Sequence, residues 1–127
     1  MKRLSLLAAL VLLAACAGPK PCTRTLCVTK LDGTMDLAGW SGSVRATSDS
    51  PKPPVVSDTA VTMIFGAAEF RHGKTRVAAS EGSSFKFSVS TRAVSMIEVS
   101  SGTVVVTLST GTVVPLAPGA PYLLPKP

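Results

Sequence analysis

A chain of 127 residues, 46% of them hydrophobic and 16% charged, suffices for one small domain, is too short for two and is too apolar to remain unfolded. Thirteen Lys and Arg stand against seven Asp and Glu, giving a net charge of +6. The basic residues Lys20, Arg24, Lys30, Arg45 and Lys52 are scattered through the first half, which argues against a nucleic-acid interface; plain solubility is the first explanation of the charge and attraction to an anionic membrane surface the second.

Met1, Lys2 and Arg3 make a positive start, and Leu4 to Leu13 is apolar apart from Ser5. That is the shape of an export signal. Ten residues of helix reach about 15 Å, half of a bilayer's hydrocarbon core, so the run is short for a transmembrane helix. The signal ends in Leu13-Ala14-Ala15-Cys16, an order that resembles the lipobox of bacterial lipoproteins. The resemblance implies that residues 1–15 are a cleaved signal peptide and that Cys16 becomes a diacylated N-terminus, its several chains giving the firm anchoring that one alone lacks. Ala17, and not Asp, follows the cysteine, which resembles the pattern sent to the outer membrane.

Cys16 is one of three cysteines, an odd number for an exported chain. Its acylation leaves Cys22 and Cys27, which can close a small disulfide loop in an oxidising compartment. Without export the two are simply small buried or free thiols. Residues 16–24 form a lipidated, proline-containing tether; the five residues Ala17-Gly18-Pro19-Lys20-Pro21 reach roughly 15 Å, which keeps the domain close to the bilayer.

From residue 25 to residue 127 the chain is written in strand residues, and a single all-β domain is expected, a small β-sandwich or a short β-solenoid. Leu26 to Leu31 and Ser43 to Thr47 are predicted strands, with Gly33 marking a turn after Asp32. Residues 48–54, with three prolines among Pro51-Lys52-Pro53-Pro54, read as a surface loop. Ala60 to Phe65, Ala68 to His72 and Thr75 to Ala79 follow as separate strands. Ser84 to Ser90 alternates most clearly, Phe85, Phe87 and Val89 to one side and Lys86, Ser88 and Ser90 to the other. Val94 to Val99, Thr103 to Leu108 and Thr112 to Leu116 complete the set. Ser100-Ser101-Gly102-Thr103-Val104-Val105 recurs nine residues on as Ser109-Thr110-Gly111-Thr112-Val113-Val114, which predicts two neighbouring turn-plus-strand units.

Residues that could carry chemistry are few, and no Asn or Gln occurs. His72 is the single histidine; Glu69 lies three residues before it and so faces the other side of a strand. It reads as a turn histidine at a strand end. Gly73-Lys74-Thr75 lacks the earlier glycine of a phosphate-binding loop, and in Gly39-Trp40-Ser41-Gly42 the second glycine arrives one residue too early for a nucleophile elbow. Asp32 and Asp36 offer too few oxygens for a hard cation, and Cys22, Cys27 and His72 one ligand too few for structural zinc. No metal, no cofactor and no catalytic residue is therefore expected. Trp40 and Tyr122 are the candidate contact residues of a binding surface, although Trp40 serves equally as a plug for one end of a small core.

Three stretches carry a second resemblance: Ala78 to Val89, Ile97 to Val106 and Val114 to Gly119. From about residue 60 to residue 124 the sequence resembles the FecR-like domain of bacterial envelope proteins, which implies a non-enzymatic β fold that senses or binds envelope partners. The chain has no second apolar run of spanning length, so direct control of a sigma factor is not implied. The expectation is a lipid-anchored envelope protein, at the outer membrane more than the inner, that binds or scaffolds another envelope protein or the cell wall and does not bind nucleic acid. Strand addition along Thr103–Leu108 or Thr112–Leu116 is one route to capture. The alternatives are an envelope serine hydrolase with His72 as base, and a purely structural surface lipoprotein.

Overall fold

The computed structural model describes residues 22–39 and 42–126. The expectations for residues 1–21, Cys16 among them, and for Trp40 lie outside the described residues. Within them the fold is all-β, with no helix, and nine strands pair into one antiparallel sheet: β1 Cys27–Gly39, β2 Gly42–Thr47, β3 Thr59–His72, β4 Thr75–Ala79, β5 Ser84–Val89, β6 Ser95–Ser101, β7 Val104–Thr107, β8 Val113–Leu116 and β9 Tyr122–Leu123.

The long strands β1 and β3 organise it. They pair with each other almost throughout, while β3 takes β5 as its other neighbour along Thr59–Thr62 and β4 along Ala68–His72. The sheet therefore branches at β3 into two layers, one ordered β2-β1-β3-β5-β6-β9 and the other β1-β3-β4-β7-β8. Their inner faces meet: Phe70 of the second layer packs edge to face on Phe85 of the first, with ring centroids 5.6 Å apart. A single buried cluster drawn from every strand but β9, including Leu31, Met35, Met63, Val77, Ile97 and Val106, fills the space between the layers. The layered arrangement decides between the two expected architectures in favour of the sandwich, because a solenoid would stack its strands in chain order.

The fold line runs through two glycines. Gly33 of β1 is paired with Gly66 of β3, at φ of 136° and 80° respectively. A Cβ on Gly33 would fall on the carbonyl of Phe65, and one on Gly66 on the carbonyl of Asp32, so only glycine lets the backbones approach while both strands bend. The register also slips by one residue between Thr34 and Met35, a bulge that adds to the bend. The predicted turn at Gly33 is thus a corner inside one strand, and the predicted strands on either side of Gly66 are one strand. Turn chemistry was read correctly at both positions, yet pairing carries each strand through it.

The next corner needs no strand. Between β4 and β5, Ser80 to Ser83 carries the chain from the second layer to the first; between β6 and β7, Gly102 and Thr103 carry it back. Ser83, fully buried, ties the two crossings together: its Oγ donates to the Thr103 carbonyl at 2.8 Å and accepts from the Thr103 N–H at 2.9 Å. Gly102 fits against it so closely that an added Cβ would lie 2.5 Å from the Ser83 Cα. Gly111, its counterpart in the repeated hexapeptide, sits in the β7–β8 hairpin with open space around it. The repeat is therefore local: its two strands do pair, but one turn changes layers and the other reverses direction within a layer.

Candidate binding surface

The outward side chains of the second layer form rows across its strands. One row runs Lys30, Glu69, Ala78, Val105, Pro115, each facing the next across a strand pair. Asp32 and Ala67 begin the row toward the fold line, and Arg71, Arg76, Thr107 and Val113 make the row on the other side. The middle of this face is low and apolar. Ala67, Ala78 and Val105 floor an open hollow of about 280 Å³, with Lys30, Asp32 and Glu69 along one rim and Ser80 and Thr103 along another. Lys30 and Asp32 form an ion pair at 3.6 Å; Glu69, half-buried in the rim, has no ion-pair partner among the described residues. Val113, 59% exposed, extends the apolar surface to β8. An exposed sheet face ordinarily carries polar side chains, so this run of small apolar ones is a surface suited to contact.

β8 is the end of the second layer, whereas β7 lies between β4 and β8. Thr103 to Leu108 is therefore interior and cannot accept an added strand, a correction to one of the two expected edges. The hairpin bond from the Leu108 N–H to the Thr112 carbonyl sets the alternation that follows, leaving the backbone groups of Val113 and Pro115 on the free side. Proline has no N–H, so the edge offers one donor where two would stand. Such an edge is blunted against strand addition. The side-chain face of this layer, not its edge, is the better candidate for contact.

Cys22 and Cys27 are joined by a disulfide with Cα atoms 5.9 Å apart, inside the usual range. The loop they close docks on the β3–β4 turn through a bond from the Gly73 N–H to the Cys22 carbonyl, 2.7 Å. Beneath lies His72. It is 1% exposed and its Nε2 is 2.8 Å from the Oγ of Ser95, itself 2% exposed, with the Phe87 ring alongside. Burial pushes its pKa below the usual histidine value, opposed by the nearby Thr23 backbone. Nδ1 has no hydrogen-bond partner of good geometry. The position at a strand end was foreseen; the burial and the serine partner were not, because they depend on β6 arriving from the other layer. The hydrolase alternative requires a histidine beside a serine, and this pair supplies one. Both side chains are buried in the core, no carboxylate among the described residues bonds the ring, and the His72–Ser95 contact joins the two layers.

Tyr122 lies in β9, partly buried against the core, opposite Ile97. It is on the first layer and is not brought to the hollow. The remaining acidic candidates are turned to structure: Asp36 accepts two bonds from Arg45, at 2.8 and 3.2 Å, which holds its carboxyl below the usual range, and Asp32 pairs with Lys30. Among the described residues no three of His, Cys, Asp and Glu gather as metal ligands. The residues missed by sequence reasoning are Ala67, Ala78 and Val105, whose only signal was small side chains at the outward positions of alternating strands. Compared with protein families, curated proteins and solved structures, the chain finds no match.

Proposed function

We propose that this is a lipid-anchored protein of the bacterial envelope, held by acyl chains on Cys16 at the outer membrane, whose β domain binds another envelope protein and catalyses nothing. The observation that carries the binding role is the hollow over Ala67, Ala78 and Val105: three neighbouring strands leave small side chains on an exposed face, with Lys30, Asp32 and Glu69, which has no ion-pair partner among the described residues, at its rim. Such a site gives a partner an apolar seat and charges that fix its orientation. The resemblance to FecR-like domains supports the same reading. Its three stretches, Ala78 to Val89, Ile97 to Val106 and Val114 to Gly119, span the successive places where the chain leaves one layer for the other.

A photoreactive residue at Ala78 in living cells tests this. Crosslinking to one envelope protein from Ala78, and not from Ser100 on the first layer, is the expected result. A ladder of products shared by both positions would remove the binding role. Fractionation of Cys16→Ser cells tests the anchor, which fails if that variant still sediments wholly with membranes.

A further inference from the structure

The end of the second layer at which the described chain begins is cationic. Gly73 and Lys74 form the two-residue β3–β4 turn, with φ of 60° at Gly73, the glycine-first geometry that matches the twist of a hairpin. His72 and Thr75 close the turn, so the next pair, Arg71 opposite Arg76, is the close, non-bonded kind. Like charges directly opposite destabilise a sheet. Neither arginine, nor Lys74 at the tip, has an ion-pair partner among the described residues, and Glu69, one row along the same face, pairs with neither arginine. Arg24 adds a fourth positive charge in the disulfide loop that docks on this turn through Cys22. Beside it, Lys74 and Arg76 border an open hollow of about 270 Å³ with Thr107, Ser109 and Gly111 at the β7–β8 hairpin. Four cations, two of them beside the hydroxyls of Thr107 and Ser109, form a surface for phosphate oxygens.

We infer that this end docks on the anionic phospholipid headgroups of the membrane to which the chain is tethered, with Arg24, Arg71, Lys74 and Arg76 facing them. The inference rests on the lipid-anchored reading and adds an orientation to it. Two observations select a membrane as the occupant. Only five residues separate Cys16 from Cys22, a reach of roughly 15 Å, so this end cannot stray far beyond the Debye length of about 10 Å at 0.1 M salt. The bond from Gly73 to Cys22 also fixes the cationic turn at the point where the tether joins the domain. A tether alone does not set which end of the domain faces the bilayer; the charges do, with this end down. The apolar hollow over Ala78 and Val105 then stands at the side of the domain, open to a partner.

The test uses the chain as cells produce it, purified from membranes and returned to vesicles of phosphatidylcholine alone or mixed with phosphatidylglycerol. A spin label on Thr110→Cys, at the β7–β8 tip, reports access to an aqueous relaxant; a second on Ser100→Cys serves as reference. The label at position 110 should be shielded on the phosphatidylglycerol vesicles, exposed on phosphatidylcholine and released by high salt, while position 100 stays exposed throughout. Arg71→Gln and Arg76→Gln, both at exposed positions, should each lower the docked-to-undocked ratio roughly five-fold. Equal exposure of position 110 on the two kinds of vesicle, or shielding that survives both substitutions, would overturn the inference. The intact mass of the same sample reads the lipid on Cys16 independently. A chain without lipid removes the anchor, and the cationic end is then judged by sedimentation with each vesicle, where equal sedimentation overturns it.

Discussion

Ser83 and His72 show how much a single buried polar side chain does when two layers must be joined. Ser83 occupies both the donor and the acceptor of Thr103 across the gap between corners, so Ser83→Ala leaves the buried Thr103 N–H without a partner and the Thr103 carbonyl with only its longer, 3.3 Å contacts from Ser80. The expected loss is about 2 kcal/mol, or a melting temperature lower by about 10 °C for a domain of this size. Thermal denaturation of the variant checks it. His72 makes stability depend on pH with a definite sign. Its folded pKa is depressed by burial, so below the ordinary value near 6.5 the unfolded chain binds a proton that the folded one refuses. Stability is therefore full above about pH 6.5 and falls as the solution is acidified toward the folded pKa. Melting curves of the wild type from neutral pH to about pH 5 should shift downward more steeply than those of His72→Phe, whose ring cannot titrate. Parallel shifts would place the acid sensitivity elsewhere.

At the scale of elements, the corner in β1 and β3 decides the architecture. Gly66→Ala drives a methyl into the Asp32 carbonyl and also strains a backbone held at φ 80°. A loss of about 3 kcal/mol is expected. Gly82 has a similar φ, but with open space around it Gly82→Ala should cost only about 1 kcal/mol, the conformational part alone. Denaturant midpoints of the two variants separate close approach from backbone strain; equal values would show that the corner tolerates spreading. Sequence patterns found most of these elements. Phe85 and Phe87 point inward and Lys86 outward as alternation predicts, and β4 begins and ends where expected. What alternation could not reveal is continuity through Gly66, since a glycine with positive φ reads as a turn until a paired glycine is seen opposite it. Nor could it show which of β7 and β8 is the edge, because strand order is not a local property.

Over the whole molecule, the fold separates these features by place: the layer interior holds His72 and Ser95, the outer face of the second layer holds the apolar hollow, and the end beside Cys22 holds the cations. Val105→Arg tests this separation. Its side chain points outward from β7, so stability should change little, within about 0.5 kcal/mol by thermal denaturation, while crosslinking from Ala78 is lost. Retained crosslinking would mean that the partner sits elsewhere. Of the candidate contact residues, Tyr122 is in the layer opposite the hollow and Trp40 lies outside the described residues. The floor of the hollow is two alanines and a valine, small residues that carry no binding signature in a sequence.

The sequence by itself determined the all-β class, the inward and outward faces of the strands and the spacing that lets Cys22 reach Cys27. Those are local facts, written in the two-residue period of strands and in short loops. Only the tertiary structure decided that the sheet folds into two layers and that His72 meets Ser95 from across the core. Each joins residues far apart in the chain, and such contacts are fixed by which strands pair, which no window of sequence contains.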